Sequence, residues 1–246
     1  MKLSIITVTY NASATLQRTL ESVAQQTAPQ LIEHIIVDGA SKDGTLAIIE
    51  EYSRLNGDKY PVIVKSEPDH GLYDAMNKAI DMASGDYLCF LNAGDKLHSP
   101  TTLADTFTGL STDNLSVIYG DTDIVDDEGR YLHPRHLLPP EHLTSSSFKR
   151  GMLVCHQSFY ARRTLSLHYD LSYRYSADVD WCIKVLKAGE TAGMTNHYTH
   201  TVLTDYLEEG MTTRNHRASL IERFKVMRHH YGLITTICNH FTFLFR

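Results

Sequence analysis

The run Tyr87-Leu88-Cys89-Phe90-Leu91 ends in Asn92-Ala93-Gly94-Asp95, an apolar stretch that stops at a polar turn carrying one carboxylate. A carboxylate so placed can hold a divalent metal, and the metal can hold a diphosphate. Asn, Gly and Asp are also ordinary turn formers, so this turn alone leaves both readings open. Asp38, Asp43 and Asp69 stand in turns of the same kind. An edge with four acids repels a diphosphate unless a cation bridges the two. Asp121-Thr122-Asp123 is a further acidic pair after a strand, but Val125 stands where a phosphatase-type nucleophile motif would carry Thr. Among the 14 histidines, the pairs His133 with His136, His197 with His200, and His229 with His230 lack nearby cysteines to complete a zinc site.

Hydrophobic periodicity gives the elements that must position these acids. Residues 3–9 are β-branched and apolar, a strand ended by Tyr10 and Asn11. Leu16, Leu20 and Val23 follow at helical spacing behind Ser13, a good N-cap. Strands over 34–38 and 62–64 and the run 87–91 alternate with helices carrying Leu46, Ile49 and Tyr52, then Leu72, Met76 and Ala79. This β-α alternation predicts a doubly wound, mostly parallel sheet, with the turns at 9–11, 38–43, 67–71 and 92–95 converging on one edge.

Beyond Pro100 the rhythm changes. The pattern predicts a helix over 101–110, a strand over 117–119 with a hairpin return over 130–133, and a loop-rich stretch over 134–147. Strand character returns over 155–161, followed by a helix over 178–188 and a last strand over 199–203. Residues 215–231 read as an amphipathic helix, with Leu220, Ile221, Phe224, Met227 and Tyr231 on one stripe and basic residues opposite. The apolar segment 233–245 is too short to span a bilayer and is suited to the core or to a membrane surface.

With 42% hydrophobic and 21% charged residues, the 246-residue chain has an ordinary globular composition. Its formal net charge of -6 offers no basic footprint for nucleic acid. Four scattered cysteines, each in or beside an apolar run and without a C-x-x-C pairing, read as reduced core thiols of a cytosolic protein, and no signal peptide is visible. No G-x-G-x-x-G follows the first strand, and no Lys-Ser or Lys-Thr follows Gly44, so neither a dinucleotide fingerprint nor a P-loop is present.

Five segments taken together resemble glycosyltransferase family 2: 4–11, 37–45, 69–78, 90–95 and 176–181, in that family's order and spacing. The branch it most resembles builds bacterial surface polysaccharides such as colanic acid. The resemblance implies a GT-A-like α/β fold: a Rossmann-type, mostly parallel sheet flanked by helices, an antiparallel acceptor-side extension and the C-terminal amphipathic helix. Residues 1–210 would form the transferase domain, with a nucleotide-sugar half over about 1–100 and an acceptor half over about 101–210. Residues 211–246 would add a helix and apolar tail.

The resemblance also implies roles. Thr9, Tyr10 and Asn11 would line the base pocket, with Tyr10 stacking on uracil or another base. Asp38 would accept from the base imino group, and Gly39, Ser41 and Asp43 would close the pocket. Gly71 would let the backbone approach the nucleotide, and Asn77 would pin that loop. Asp95, with Asn92 beside it, would hold Mg2+ or Mn2+ on the diphosphate, and Asp178 would be the general base, with Asp180 its competitor. Asp121, His156, Gln157 and Trp181 are placed toward the acceptor. The metal motif commonly reads Asp-x-Asp-Asp, so Asn92-Ala93-Gly94-Asp95 keeps one carboxylate; Ala177 replaces the usual Glu before Asp178. The implied reaction is an inverting, metal-dependent transfer from a nucleotide-diphosphate sugar, with UDP favoured, to a glycan or lipid-linked acceptor. It would take place in the cytoplasm, with residues 214–246 available to touch the inner membrane face. A sugar nucleotidyltransferase, or a silent nucleotide-sugar or glycan-binding protein, is the alternative.

Overall fold

The computed structural model describes residues 1–208 and 216–243. The domain boundary expected at 210/211, Arg214 and the last three residues of the apolar tail lie outside the described residues. Strands β1 (Leu3–Thr9), β2 (Ile32–Asp38), β3 (Val62–Ser66) and β4 (Tyr87–Phe90) pair in parallel in the order β3-β2-β1-β4. They are joined by α1 (Leu16–Ala24), α2 (Thr45–Asn56) and α3 (Leu72–Met82). Alternation along β1 sets the layers. Leu3 and Ile5 pack with Leu16, Leu20 and Val23 of α1 and Ile49 of α2, whereas Ile6 and Val8 pack with Ala75, Met76 and Ala79 of α3. Successive strand residues point to opposite faces, so both faces of a buried strand must be apolar. Helix α1 starts later than Ser13 suggests, because the Ser13 N–H is taken by Asp43 Oδ2 at 3.1 Å.

The chain continues through β5 (Lys96–Leu97), α4 (Thr102–Phe107), β6 (Leu115–Val125), β7 (Tyr131–Pro134) and β8 (Phe159–Arg162). It ends with α5 (Ala177–Thr191), β9 (Thr195–Leu207), α6 (His216–Tyr231) and α7 (Leu233–Phe243). These strands extend the sheet as β4-β8-β6-β9-β5, with β7 on β6. β8 runs antiparallel to both β4 and β6, β7 antiparallel to β6, and β9 parallel to β6. The result is one mixed α/β sheet with helices on its faces.

Several strands differ from the pattern reading: the pattern gives no strand at β5, and β6 covers Leu115–Val125 where it gives 117–119, so that Asp121 and Asp123 lie within the strand. β9 is longer than 199–203 because its first residues are polar and only half-buried, yet they pair along β6 from Leu115↔Thr195 onward. Residues His156–Ser158 form a short 3-10 turn ahead of β8, which turns His156 and Gln157 out of the sheet. Helix α6 also differs in the face it buries. Ser219, Val226 and Met227 are buried, while Leu220 and Ile221 of the expected apolar stripe are exposed. The reason is its partner: α6 packs on the polar N-terminal end of α5, where charged groups are needed. Cys89, Cys155 and Cys182 are buried thiols, but Cys238 is exposed on α7.

Candidate active site

The carboxyl ends of β1 and β4 open into a cavity of about 590 Å³. One wall carries Thr9, Tyr10, Asp69, Gly71, Asn92 and Asp95; the other carries Arg135, His156, Gln157, Tyr175, Asp178 and Arg223. Tyr10 is 62% exposed, so its ring is open to a stacking partner. Gly71 has φ 116° and an open space where a Cβ would stand, a conformation that glycine adopts without strain.

The second turn sits behind this wall. Asp38 is fully buried and accepts hydrogen bonds from the Ser41 N–H (2.9 Å), the Ser41 hydroxyl and the Ser66 hydroxyl (2.7 Å). Ser41 Oγ accepts the Asn11 N–H at 2.8 Å, and Asn11 Oδ1 accepts the Lys42 N–H at 2.9 Å. Asp43 accepts from the Thr45 and Ser13 N–H groups. Asn11, Asp38, Ser41 and Asp43 thus stitch two turns together, and they are not among the cavity-lining residues. The acid that faces the cavity here is Asp69. A Cβ at Gly39 would lie 2.5 Å from Asp69 Oδ2 and 3.2 Å from the Tyr10 ring, so the glycine makes room for both. The only sequence signal for this was a glycine following Asp38.

Asp95 is almost fully buried in the cavity wall. Its Oδ2 accepts from Gln157 Nε2 and its Oδ1 from the Leu207 N–H, both at 3.0 Å. Burial pushes its carboxyl up to about 7, against these two hydrogen bonds and the charge of Arg18. The turn is braced by α1: Thr19 Oγ1 accepts the Gly94 N–H at 2.9 Å and donates to the Asp95 carbonyl at 2.6 Å. Asn92 Oδ1 and Thr9 Oγ1 are shielded from solvent and have no hydrogen-bond partner. Buried polar atoms are rarely left this way. Each oxygen of Asp95 holds one donor and keeps a lone pair. With the orphaned Asn92 oxygen, it forms a hard-oxygen set that fits Mg2+ or Mn2+.

The opposite wall is centred on Asp178, one residue into α5. Tyr73 donates its hydroxyl to Asp178 Oδ1 at 3.1 Å and stacks on Tyr169 at 5.3 Å. His156 Nε2 pairs with the Tyr169 hydroxyl at 2.7 Å, and burial holds this imidazole down to about 4, so it is neutral. Asn77 does not pin the Gly71 loop; its side chain both donates to and accepts from the Tyr169 backbone, at 3.0 and 2.7 Å. Trp181 is fully buried, donating to the Leu167 carbonyl at 2.7 Å, and it is outside the cavity lining. Asp121 also lies outside, accepting from the Tyr198 hydroxyl at 2.7 Å.

Asp180 shares the helix with Asp178 but faces away from the cavity. It pairs with His230 Nε2 and Lys184 Nζ, each at 2.7 Å. Burial works to raise its carboxyl, but these two partners hold it below the usual range. Ser176, the residue before α5, makes no side-chain cap bond. Glu222 of α6 instead holds the segment that leads into the helix, accepting the N–H groups of Arg174 (2.9 Å), Tyr175 (2.6 Å) and Ser176 (3.1 Å). A carboxylate there satisfies backbone donors ahead of the helix and complements the helix dipole. α6 therefore helps to hold Asp178 in place, through residues 44 or more positions away in sequence.

A second group of metal-ligand types lies outside the cavity, where His98, Asp123 and Asp205 converge. It is already compensated, since Lys96 Nζ sits 2.9 Å from one Asp205 oxygen and His98 Nδ1 2.6 Å from the other. No spacing rule links a residue just after β5 with residues of β6 and β9, and the sequence pattern does not reveal the group.

A parallel half facing a mixed half across one cavity is the GT-A architecture. The chain superposes on S. aureus TarS 1-349 in complex with UDP-GlcNAc with a TM-score of 0.73 at 20% identity, covering 93% of this chain and 65% of that one. It also superposes on the mannosyltransferase PcManGT from Pyrobaculum calidifontis in complex with GDP-Man and Mn2+, with a TM-score of 0.65 at 16% identity over 92% of this chain and 64% of that one. The chain thus spans about two thirds of the length of either structure.

The model of Glycosyl transferase family 2 matches residues 4–168, and the chain belongs to that family. It is 34% identical over 211 residues to a PGL/p-HBAD biosynthesis glycosyltransferase of Mycobacterium bovis, covering 84% of this chain and 77% of the relative. Identity is 29% over 197 residues with the amylovoran biosynthesis glycosyltransferase AmsB of Erwinia amylovora, covering 76% of this chain and 64% of AmsB.

Proposed function

We propose that this protein transfers one sugar from a nucleotide-diphosphate sugar, with UDP as the favoured nucleotide, to a hydroxyl of a glycan or lipid-linked acceptor in surface polysaccharide assembly. The observation that carries the reading is that Asp95 and Asp178 line one cavity from opposite walls. Tyr10 stacks on the base, while Asp69 and Thr9 offer it polar contacts. Gly71 admits the donor backbone. Asp95 and Asn92 would hold Mg2+ or Mn2+, which when bound supplies positive charge against the departing diphosphate. Asp178 takes the acceptor proton at the oxygen that Tyr73 leaves open, as a general base must. Attack from that wall, opposite the leaving group, gives inversion. His156, held neutral, and Gln157 shape the acceptor side.

No helix among the described residues is long and apolar enough to cross a membrane. The exposed side chains of Leu220, Ile221, Leu233, Ile234 and Ile237 on α6 and α7 support peripheral contact with the inner face of the cytoplasmic membrane, where lipid-linked acceptors reside.

A thermal-shift panel of UDP-, GDP-, dTDP- and CMP-sugars, with and without Mn2+, tests the donor site without needing an acceptor, because a ligand of the native state raises its melting temperature. One nucleotide class should stabilise the protein more with Mn2+, and Asp95→Ala should remove the metal-dependent part. A panel without any shift speaks for a different ligand class, and turnover-free binding with every acceptor for a silent binding protein.

A further inference from the structure

Arg223 belongs by its spacing to the basic residues of α6, with Arg217, Lys225 and Arg228, and in sequence nothing sets it apart. The fold does. Arg223 lines the cavity, and its Nε is closed off from solvent with no hydrogen-bond partner. It forms no ion pair among the described residues, although Asp69, Asp95 and Asp178 line the same cavity. Its neighbour Glu222 is anchored on the backbone of residues 174–176, which seats Arg223 at the cavity next to Tyr175.

The other cation lining the cavity is differently employed. Arg135 gives its terminal nitrogens to the carbonyls of Leu137 (2.8 Å), Leu153 (3.1 Å) and Met152 (2.6 Å), a brace between two loops. Arg18, whose charge reaches Asp95, gives its Nη1 to the Asp126 and Asp127 carbonyls; its Nε and Nη2 are also shielded and without a partner, but it does not line the cavity. Arg223 is thus the cavity cation with an unused buried donor. A buried guanidinium N–H without an acceptor is costly, and a planar fork of N–H groups matches the oxygens of a phosphate. The cavity also has a specific need for positive charge, since the turn at Asn92-Ala93-Gly94-Asp95 offers one carboxylate to a metal.

We infer that Arg223 recognises a phosphate group of the substrate, so that the C-terminal helix forms part of the substrate site. This rests on the reading of the cavity as a sugar-transfer site. The phosphate belongs either to the diphosphate of the donor or to a phosphate-bearing acceptor, and the two are separable by experiment.

The test compares full-length wild type with Arg223→Met and Arg223→Lys. Calorimetric titration with UDP, GDP, UMP and GMP in the presence of Mn2+ reads the donor arm; KM and kcat with a lipid-diphosphate-linked acceptor read the other. Arg223→Met should melt at or above the wild-type temperature without ligand, since it removes a shielded Nε donor that has no acceptor. A loss of about tenfold to a hundredfold in nucleoside diphosphate affinity, with a smaller loss for the monophosphates, assigns the contact to the donor; that range is the usual effect of losing a hydrogen bond to a charged group. Unchanged nucleotide affinity with a similar rise in acceptor KM at nearly constant kcat assigns it to the acceptor. In either case Arg223→Lys should recover part of the loss. If Arg223→Met leaves nucleotide affinity and acceptor KM both unchanged, the inference falls while the transferase reading stands. Wild type that binds none of the four nucleotides would overturn both.

Discussion

The wall proposed to hold the donor, called the donor wall, takes its side chains from turns that directly follow β1, β3 and β4, each turn reading as a short contiguous motif. The opposite wall, proposed to take the acceptor and called the acceptor wall, draws Arg135, His156, Tyr175 with Asp178, and Arg223 from four separate segments, and its central acid is steadied by Glu222, more than 40 residues further along. The first wall is local because a parallel sheet aligns its turns along one edge as soon as the strands pair. The second exists only after β8, α5 and α6 have been laid against that sheet. Stability and catalysis are therefore expected to be coupled more tightly on the acceptor wall than on the donor wall.

Asp178→Asn gives the sharpest break between the two. Transfer should fall by about a hundredfold to ten-thousandfold, the usual contribution of a positioned base, while donor binding stays nearly constant. Steady-state kinetics beside calorimetry of the nucleotide checks this, and retained turnover would remove Asp178 from its role. Asp180→Asn, two residues along, should instead lower the melting temperature, because it weakens a buried pair with His230 and Lys184.

A smaller effect is expected at Glu222. Glu222→Gln weakens the hydrogen bonds that hold the segment leading into α5 and should cost about 1 kcal/mol of stability, the order of one hydrogen bond. If α6 positions Asp178, kcat should drop several-fold while nucleotide affinity is kept, and Glu222→Asp should restore part of it. An equal loss in donor affinity would show that the two walls are not separable in this way.

The smallest effect concerns acid. Burial places the His156 imidazole at about 4 in the folded protein, below the ordinary value of 6.5 that it has in the unfolded chain. The unfolded chain therefore takes up the proton first. Stability from this group is complete above about pH 6.5 and is lost as pH falls toward about 4. Between about pH 6.5 and pH 5.5 this is on the order of 1 kcal/mol. Urea melts of wild type and His156→Gln across that window should show the shallower slope in the variant. Parallel slopes would mean that His156 is not buried neutral, and would open the acceptor wall to solvent.

Much of this molecule was legible in one dimension. Buried strands announce themselves as β-branched runs and helices by apolar residues at a 3.6-residue period, so β1 to β4, α1 to α3 and their convergent turns follow from the order of residues alone. Thr9, Tyr10, Gly71, Asn92, Asp95, His156, Gln157 and Asp178, most of them singled out through the resemblance of five short segments to a known family, all line the cavity. Other assignments needed the folded chain. Asp38 and Asp69 are both acids after a strand, and only the packing of Gly39 against Asp69 decides which of them faces the cavity. Asp178 and Asp180 are two residues apart on one helix, where a rotation of about 200° separates open site from buried ion pair. Arg223 and Glu222 read as one more stretch of charged surface until α6 packs on α5. Periodicity encodes which face of an element is turned inward, but it carries no record of which distant element that face will meet. The positions that depend on such meetings were decided by tertiary structure, because their partners lie tens of residues away and are brought together only by the closing of the sheet and its helices.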